Sequence, residues 1–249
     1  CANLLIGDEF IINSDTMIVV DRTMLDSLIA GGYDLTKACV SHLNDLSRLF
    51  LGSTSFNQNI GNWDVSNVIR LDSVFSGCNQ FNQAIGNWDV SNVLSMRYAF
   101  NGATSFNQPL SNWNVFNVTN MEGIFHDAKN FNQSIQNWNT ASVTDMSSMF
   151  EGASNFNHDI NSWNVGNVTN MSSMFKNDTS FNQSLNSWNV SNVTDMASMF
   201  EGASKFNHDI DSWNVGNVIN MSSMFKNDTS FNQSLNNWNV ANVSNMSSV

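Results

Sequence analysis

Tryptophan recurs at Trp63, Trp88, Trp113, Trp138, Trp163, Trp188, Trp213 and Trp238, every interval being 25 residues with no insertion anywhere. A chain that holds one spacing through so many copies is built of coils, stacked so that equivalent residues lie over one another. Seven residues before each Trp stands a Phe (Phe56, Phe81, Phe106, Phe131, Phe156, Phe181, Phe206 and Phe231), and Asn follows that Phe in every copy. The unit reads F-N-[QH]-x-[IL]-x-x-W-[ND]-V-x-N-V-x-x-M-x-x-M-F. No single unit can bury its own Phe, Ile or Leu, Trp, Val and Met. Stacking covers each set with the next.

Two periods run inside the unit. Val168, Met171, Met174 and Phe175 are spaced like one face of a short helix. Asn167 or Ser142 stands where an N-cap would accept from the first turn. Around Trp188-Asn189-Val190 apolar and polar residues alternate, as in a strand. The expectation is therefore an α/β solenoid with one short strand and one short helix per coil. Adjacent extended segments would lie about 4.8 Å apart, giving a rod on the order of 40 Å. The Asn after each Phe (Asn57, Asn82, Asn107 and their successors) is expected to form a ladder that satisfies turn backbone.

The register continues upstream in weakened form. Leu35, Val40, Leu43, Leu46 and Phe50 hold the later Ile/Leu, Val, Val, Met and Phe positions, with Ala38 in place of Trp. This divides the chain into a capping segment, 1–33, and a solenoid, 34–249. The solenoid has a degenerate cap coil at 34–55 and eight repeats from 56, the last truncated. Within the capping segment, MIVV (17–20) reads as a strand. Asp21 reads as the cap of a helix through Met24 to Ile29, ending at Gly31-Gly32. Val249 falls one residue short of the next Phe, so a longer protein is expected, and the truncated edge is open to end-to-end dimerisation. Residues 151–199 and 201–249 agree at 40 of 49 positions, so the latest duplication copied two coils at once.

Composition bounds what such a rod does. Charged residues are 12%, and 9 basic against 21 acidic residues leave a net charge of -12. Nucleic acid and anionic membrane surfaces both need a cationic footprint, so neither is an expected partner. No apolar stretch reaches the length of a membrane span. Cys1, Cys39 and Cys78 are too few and too scattered for a disulfide framework or metal cluster. Cys39 and Cys78 read as small buried residues, and Cys1 as a candidate lipid anchor. His158-Asp159 and His208-Asp209 recur two coils apart, roughly 10 Å by strand spacing, which is too far to share a metal. Neither pair has a nucleophile beside it. No phosphate loop, HExxH or GxSxG pattern occurs, and the acids are too dispersed for calcium. An enzyme is not expected, nor a cofactor. The invariant Trp ladder, coupled to a Val two residues on, reads as core rather than as a sugar-stacking surface.

The F-N-Q-x-I-x-x-W-[ND]-V-S-N-V-T-x-M-x-x-M-F-x-G-A unit resembles the BspA-like leucine-rich repeats, units of about 25 residues in bacterial surface proteins. The resemblance spans roughly residues 34–249, Thr140 in place of Val being one of few departures. It implies a right-handed, leucine-rich-repeat-like solenoid, secreted or displayed on a bacterial cell surface, often as a lipoprotein, with adhesion as its use.

Binding is then the expected class, to an extracellular protein or glycan through an exposed face rich in Asn, Asp and Ser. The position after each Trp contributes Asp64, Asp89, Asn114, Asn164, Asn189 and Asn214. The position three after each Phe contributes Asp159 and Asp209. A passive spacer, holding another domain away from the cell, is the competing expectation.

Overall fold

The computed structural model describes every residue except Ala2 and Asn13. Its N-terminal part contains β1 (Glu9–Ile12), β2 (Asp15–Val19), α1 (Arg22–Ala30), a 3-10 turn (Leu35–Lys37) and β3 (Ala38–Cys39). The sheet order is β1-β2-β3, antiparallel then parallel, with Ile18 opposite Ala38 and Val19 opposite Cys39. The Asp21 carboxylate accepts from the Met24 N–H at 2.8 Å, and α1 ends at Gly31, where the sequence places its start and stop. The strand β1 was not foreseen, because Glu9-Phe10-Ile11-Ile12 lacks alternation and stays largely exposed.

Cys1 and Cys39 form a disulfide, and Cys78 is free and buried. This corrects one expectation: Cys39 is buried, but as a partner of Cys1 and not as a free small residue. The Cys78 thiol donates to the Phe50 carbonyl at 3.0 Å, and burial pushes its pKa up to about 12.

From Leu35 onward the chain is a repeat solenoid. Leu35, Ala38, Val40, Leu43, Leu46 and Phe50 are all buried, and a ladder of isolated parallel bridges runs from Asp45↔Arg70 to Asn220↔Asn245. The expected helix is absent: among the described residues no coil contains one. In the Met171–Asp178 segment, the N–H groups of Met174, Lys176 and Asp178 close three-residue turns on Met171, Ser173 and Phe175 at 3.0–3.2 Å. Those of Ser173, Phe175 and Asn177 instead donate to Ala197, Met199 and Glu201 of the next coil at 2.8–2.9 Å. An α-helix keeps every such bond inside one segment at a spacing of four. Here alternate N–H groups turn outward to bind the neighbour.

That alternation requires left-handed backbone at Ser173 (φ 57) and Asn177 (φ 57), conformations no helix contains. Apolar residues three apart fit a string of three-residue turns as well as they fit a helix. The position of Asn177 is otherwise Gly52, Gly77, Gly102, Asp127, Gly152, Gly202 and Asn227, all at positive φ. These are the residue types that tolerate it.

The expected strand is displaced too. Trp188 closes a turn on Leu185 at 3.1 Å, and pairing between coils begins only after the following Val.

The core is a set of aromatic ladders. Phe150 stacks on Phe156 at 4.0 Å within its coil and lies 5.8 and 5.7 Å from Phe125 and Phe175 in the adjacent coils. Trp63 through Trp213 are no more than 4% exposed, so the core reading of the Trp ladder stands. Each indole N–H donates to a carbonyl of the preceding coil, as Trp163 does to Ile135 at 3.2 Å. Thr140, in a Val position, is buried because its hydroxyl donates to the Asn164 carbonyl at 2.9 Å.

The position after each second Phe forms a polar ladder: the Asn101 amide bonds Ser76 and His126, and Lys176 lies between Glu151 (3.5 Å) and Glu201 (3.9 Å), which also meets Lys226. Half-buried pairs at these separations add only modest stability. Their alternation repeats every two coils, however, so a one-coil slip would set like charges together.

Candidate ligand-binding face

The residue after each Trp does form one ladder along the stack, and its inner oxygen has a structural task. Asp64 Oδ1 accepts from the Ser66 N–H (3.2 Å), Asp89 from Ser91 (3.0 Å), Asn114 from Phe116 (3.2 Å), Asn164 from Gly166 (3.1 Å), Asn189 from Ser191 (3.2 Å) and Asn214 from Gly216 (3.2 Å). These are Asx turns, which Asp and Asn make because the side-chain oxygen mimics a backbone carbonyl. The second atom faces solvent: a carboxylate oxygen at Asp64 and Asp89, an amide donor in the Asn copies. Bonds from Ser91 hold the Asp89 carboxyl below the usual carboxylate range. Asn139 and Asn239 belong to the same series.

Asp159 and Asp209 lie elsewhere on the coil. Each caps its own turn, at Asn161 (2.8 Å) and Asp211 (2.9 Å), and a whole coil carrying Ser184 in this position separates them. The structure thus brings six of the eight expected residues into one row and leaves these two apart. The neighbouring His158 and His208 each place Nε2 3.0 Å from a carbonyl of the preceding coil, at Asn132 and Asn182. The corresponding Gln side chains reach the same ladder, as Gln133 does to Asn107 Oδ1 at 3.0 Å. Asn132, Asn157 and Asn182 continue that ladder through N–H to Oδ1 bonds of 2.9–3.2 Å.

A second face escaped the sequence reading. The Asn beginning each N-V-x segment does not cap a helix. Asn67, Asn92 and Asn167 donate Nδ2 to Ser41, Ser66 and Ala141 carbonyls of the preceding coil, each at 2.8 Å. Two residues on, Thr144, Thr169 and Thr194 donate their hydroxyls to the carbonyls of Thr119, Thr144 and Thr169 at 3.1–3.2 Å. The alternation Asn out, Val in, Thr out was the available signal. It was hidden because N-V-x-x-M scans as the start of a helix.

One cluster interrupts the regular surface. The Arg97 guanidinium and Tyr98 hydroxyl both bind Glu122, at 2.7 and 2.9 Å. Burial, then the bond to Glu122, pushes the Tyr98 phenol up to about 12. The Tyr98 ring occupies the space a side chain would need at Gly123, where Ser stands in most other coils and where φ is +58. Gly123→Ser is expected to destabilise by about 1–2 kcal/mol, through left-handed strain and overlap with the ring. Adding Tyr98→Ser should return part of that loss, read as a positive coupling in a urea-denaturation double-mutant cycle. Strict additivity would show that the ring is not the obstacle.

Among the described residues no group of three or more His, Cys, Asp or Glu converges as metal ligands, and no helix is long and apolar enough to cross a membrane. A family described as a Mycoplasma protein of unknown function, DUF285, matches residues 23–129, 108–194 and 157–249. A comparison with curated proteins finds no match.

Proposed function

We propose that this chain, which belongs to the DUF285 family of Mycoplasma proteins, is a non-enzymatic binding module that recognises an extracellular protein or glycan through its polar ladders. The supporting observation is the row from Asp64 to Asn214, in which each side chain is fixed by its Asx turn and presents one polar atom outward once per coil. Such a pre-organised row loses little side-chain entropy on binding. The disulfide between Cys1 and Cys39 suits an oxidising location, in keeping with a secreted or surface-displayed protein. We also read the coil as right-handed and akin to the BspA-like leucine-rich repeat. Its support is the parallel bridge ladder, since parallel crossovers wind right-handed almost without exception.

The test is surface plasmon resonance against matrix proteins and glycans, with a variant carrying Asp64→Ser, Asp89→Ser, Asp159→Ser and Asp209→Ser. At positions 159 and 209 serine retains the turn, as Ser184 and Ser234 do in sibling coils, and at 64 and 89 its hydroxyl can accept the same local bond. Saturable binding that the variant loses while melting at the wild-type temperature is the expected result. A panel without binders would leave the spacer role as the better account.

A further inference from the structure

The corner asparagines and the threonine ladder beside them bound a groove, lined in its last coils by Asn192, Thr194, Asn217, Ile219 and Asn242. The bonds behind this groove fix what it offers to a ligand. Asn192, Asn217 and Asn242 point Nδ2 at the carbonyls of Gly166, Ser191 and Gly216, at 2.6–2.7 Å. A carbonyl must be met by a donor, so the amide orientation is set and Oδ1 is the atom turned outward. Among the described residues nothing donates to those oxygens. Thr194 likewise commits its only proton, to the Thr169 carbonyl at 3.1 Å, leaving lone pairs and a methyl group at the surface. Ile219 adds apolar area, being 50% exposed. The lining therefore consists of outward-turned amide oxygens, the second Nδ2–H of each corner Asn, threonine lone pairs and C–H surface, all uncharged. Although the protein carries a net charge of -12, neither the corner position nor the threonine position holds a charged residue in any copy.

We propose that this groove binds a neutral, linear, polyhydroxylated chain, an extended glycan lying along the stack. This rests on the binding-module reading and names its ligand class. A metal cation would call for clustered carboxylates and an anion for positive charge, which the lining lacks; a peptide strand repeats its same-face groups every two residues, about 6.6 Å, out of step with the coils. Sugar hydroxyls supply protons without charge, and the C–H faces of the rings suit the threonine methyls and Ile219. The lining repeats once per coil, about 4.8 Å, close to the rise of one residue in an extended β-1,4-linked chain. Successive sugars would thus meet equivalent acceptors.

The experiment titrates the protein by calorimetry with β-1,4-linked hexasaccharides of glucose, of mannose and of N-acetylglucosamine. Two variants accompany it: Thr169→Arg with Ile219→Arg, which fills the groove from exposed positions, and Leu51→Arg, which adds the same side chain at an exposed position outside it. At least one hexasaccharide should bind, about tenfold or more weaker to the groove variant and unchanged to the other. If none of the three binds while a matrix protein does, the glycan assignment is wrong and the binding module survives. A hexasaccharide that ignores the arginines would place the site elsewhere and overturn the groove. Failure of every glycan and protein would remove both readings.

Discussion

Phe150→Ala is expected to destabilise the protein by about 3–5 kcal/mol, the usual cost of emptying an aromatic site in a core that cannot collapse around it. Phe150 is fully buried. Its ring contacts Phe156 within the coil and faces Phe125, Phe175 and Trp163 at 5.7–6.3 Å. One truncation therefore weakens two coil interfaces. In a stack where each coil touches only its neighbours, such a defect lies between two otherwise intact blocks. The urea transition followed by Trp fluorescence should shift to lower urea and broaden or divide. Phe116→Ala is the comparison: that side chain is 49% exposed, and its loss should stay within about 0.5 kcal/mol. Equal effects from the two substitutions would refute the ladder as the main source of stability.

Asp178→Ala should act in the opposite direction. Asp178 is wholly buried, and its Oδ2 has no partner, while Oδ1 accepts from the Ser180 N–H at 3.2 Å. Burial raises its pKa well above the ordinary carboxylate value. The sign follows from linkage: the folded protein keeps the proton that the unfolded chain releases, so stability is greatest below the unfolded pKa and is lost as pH rises toward the folded one. Sibling coils hold Ala103, Ala128, Ala153 and Ala203 in the same position, all buried. The Ala103 coil closes the adjoining loop by a different bond, Ser105 N–H to the Asn79 carbonyl at 3.1 Å. The Ala variant thus has a local precedent. It should gain about 1–3 kcal/mol at pH 8, by removing a buried polar group without a partner. It should also show a smaller loss of stability between pH 4 and 8. Urea midpoints at several pH values decide this, and parallel pH profiles for wild type and variant would sink it.

Duplication placed this cost in the chain twice. Asp228, in the second copy of the block, also has an unpartnered Oδ2 and a raised pKa from burial. The same block carries the Glu151, Lys176, Glu201, Lys226 alternation, so the charge ladder and the buried carboxylate were copied together.

The binding face divides along similar lines. The post-Trp row was legible, because a polar position flanked by Trp and Val must point outward. Its Asx turns were not, since the same residues would look alike on a strand. The groove beside Ile219 was missed altogether. Asn and Thr carry both donors and acceptors, and only the carbonyl behind each one settles which way the side chain turns its oxygen.

By itself, the sequence determined the period, the inward residues and the stacking, because unbroken spacing of large apolar side chains admits no other way to bury them. It also determined the cap at Asp21, which depends on local backbone chemistry. Tertiary structure alone decided that Val168 to Phe175 would run as linked turns instead of a helix. Three-residue spacing serves both conformations, and the choice rests on whether alternate N–H groups stay within the segment or reach the next coil. Here the neighbour is always one repeat away, its carbonyls already in place, and the bonds go to it.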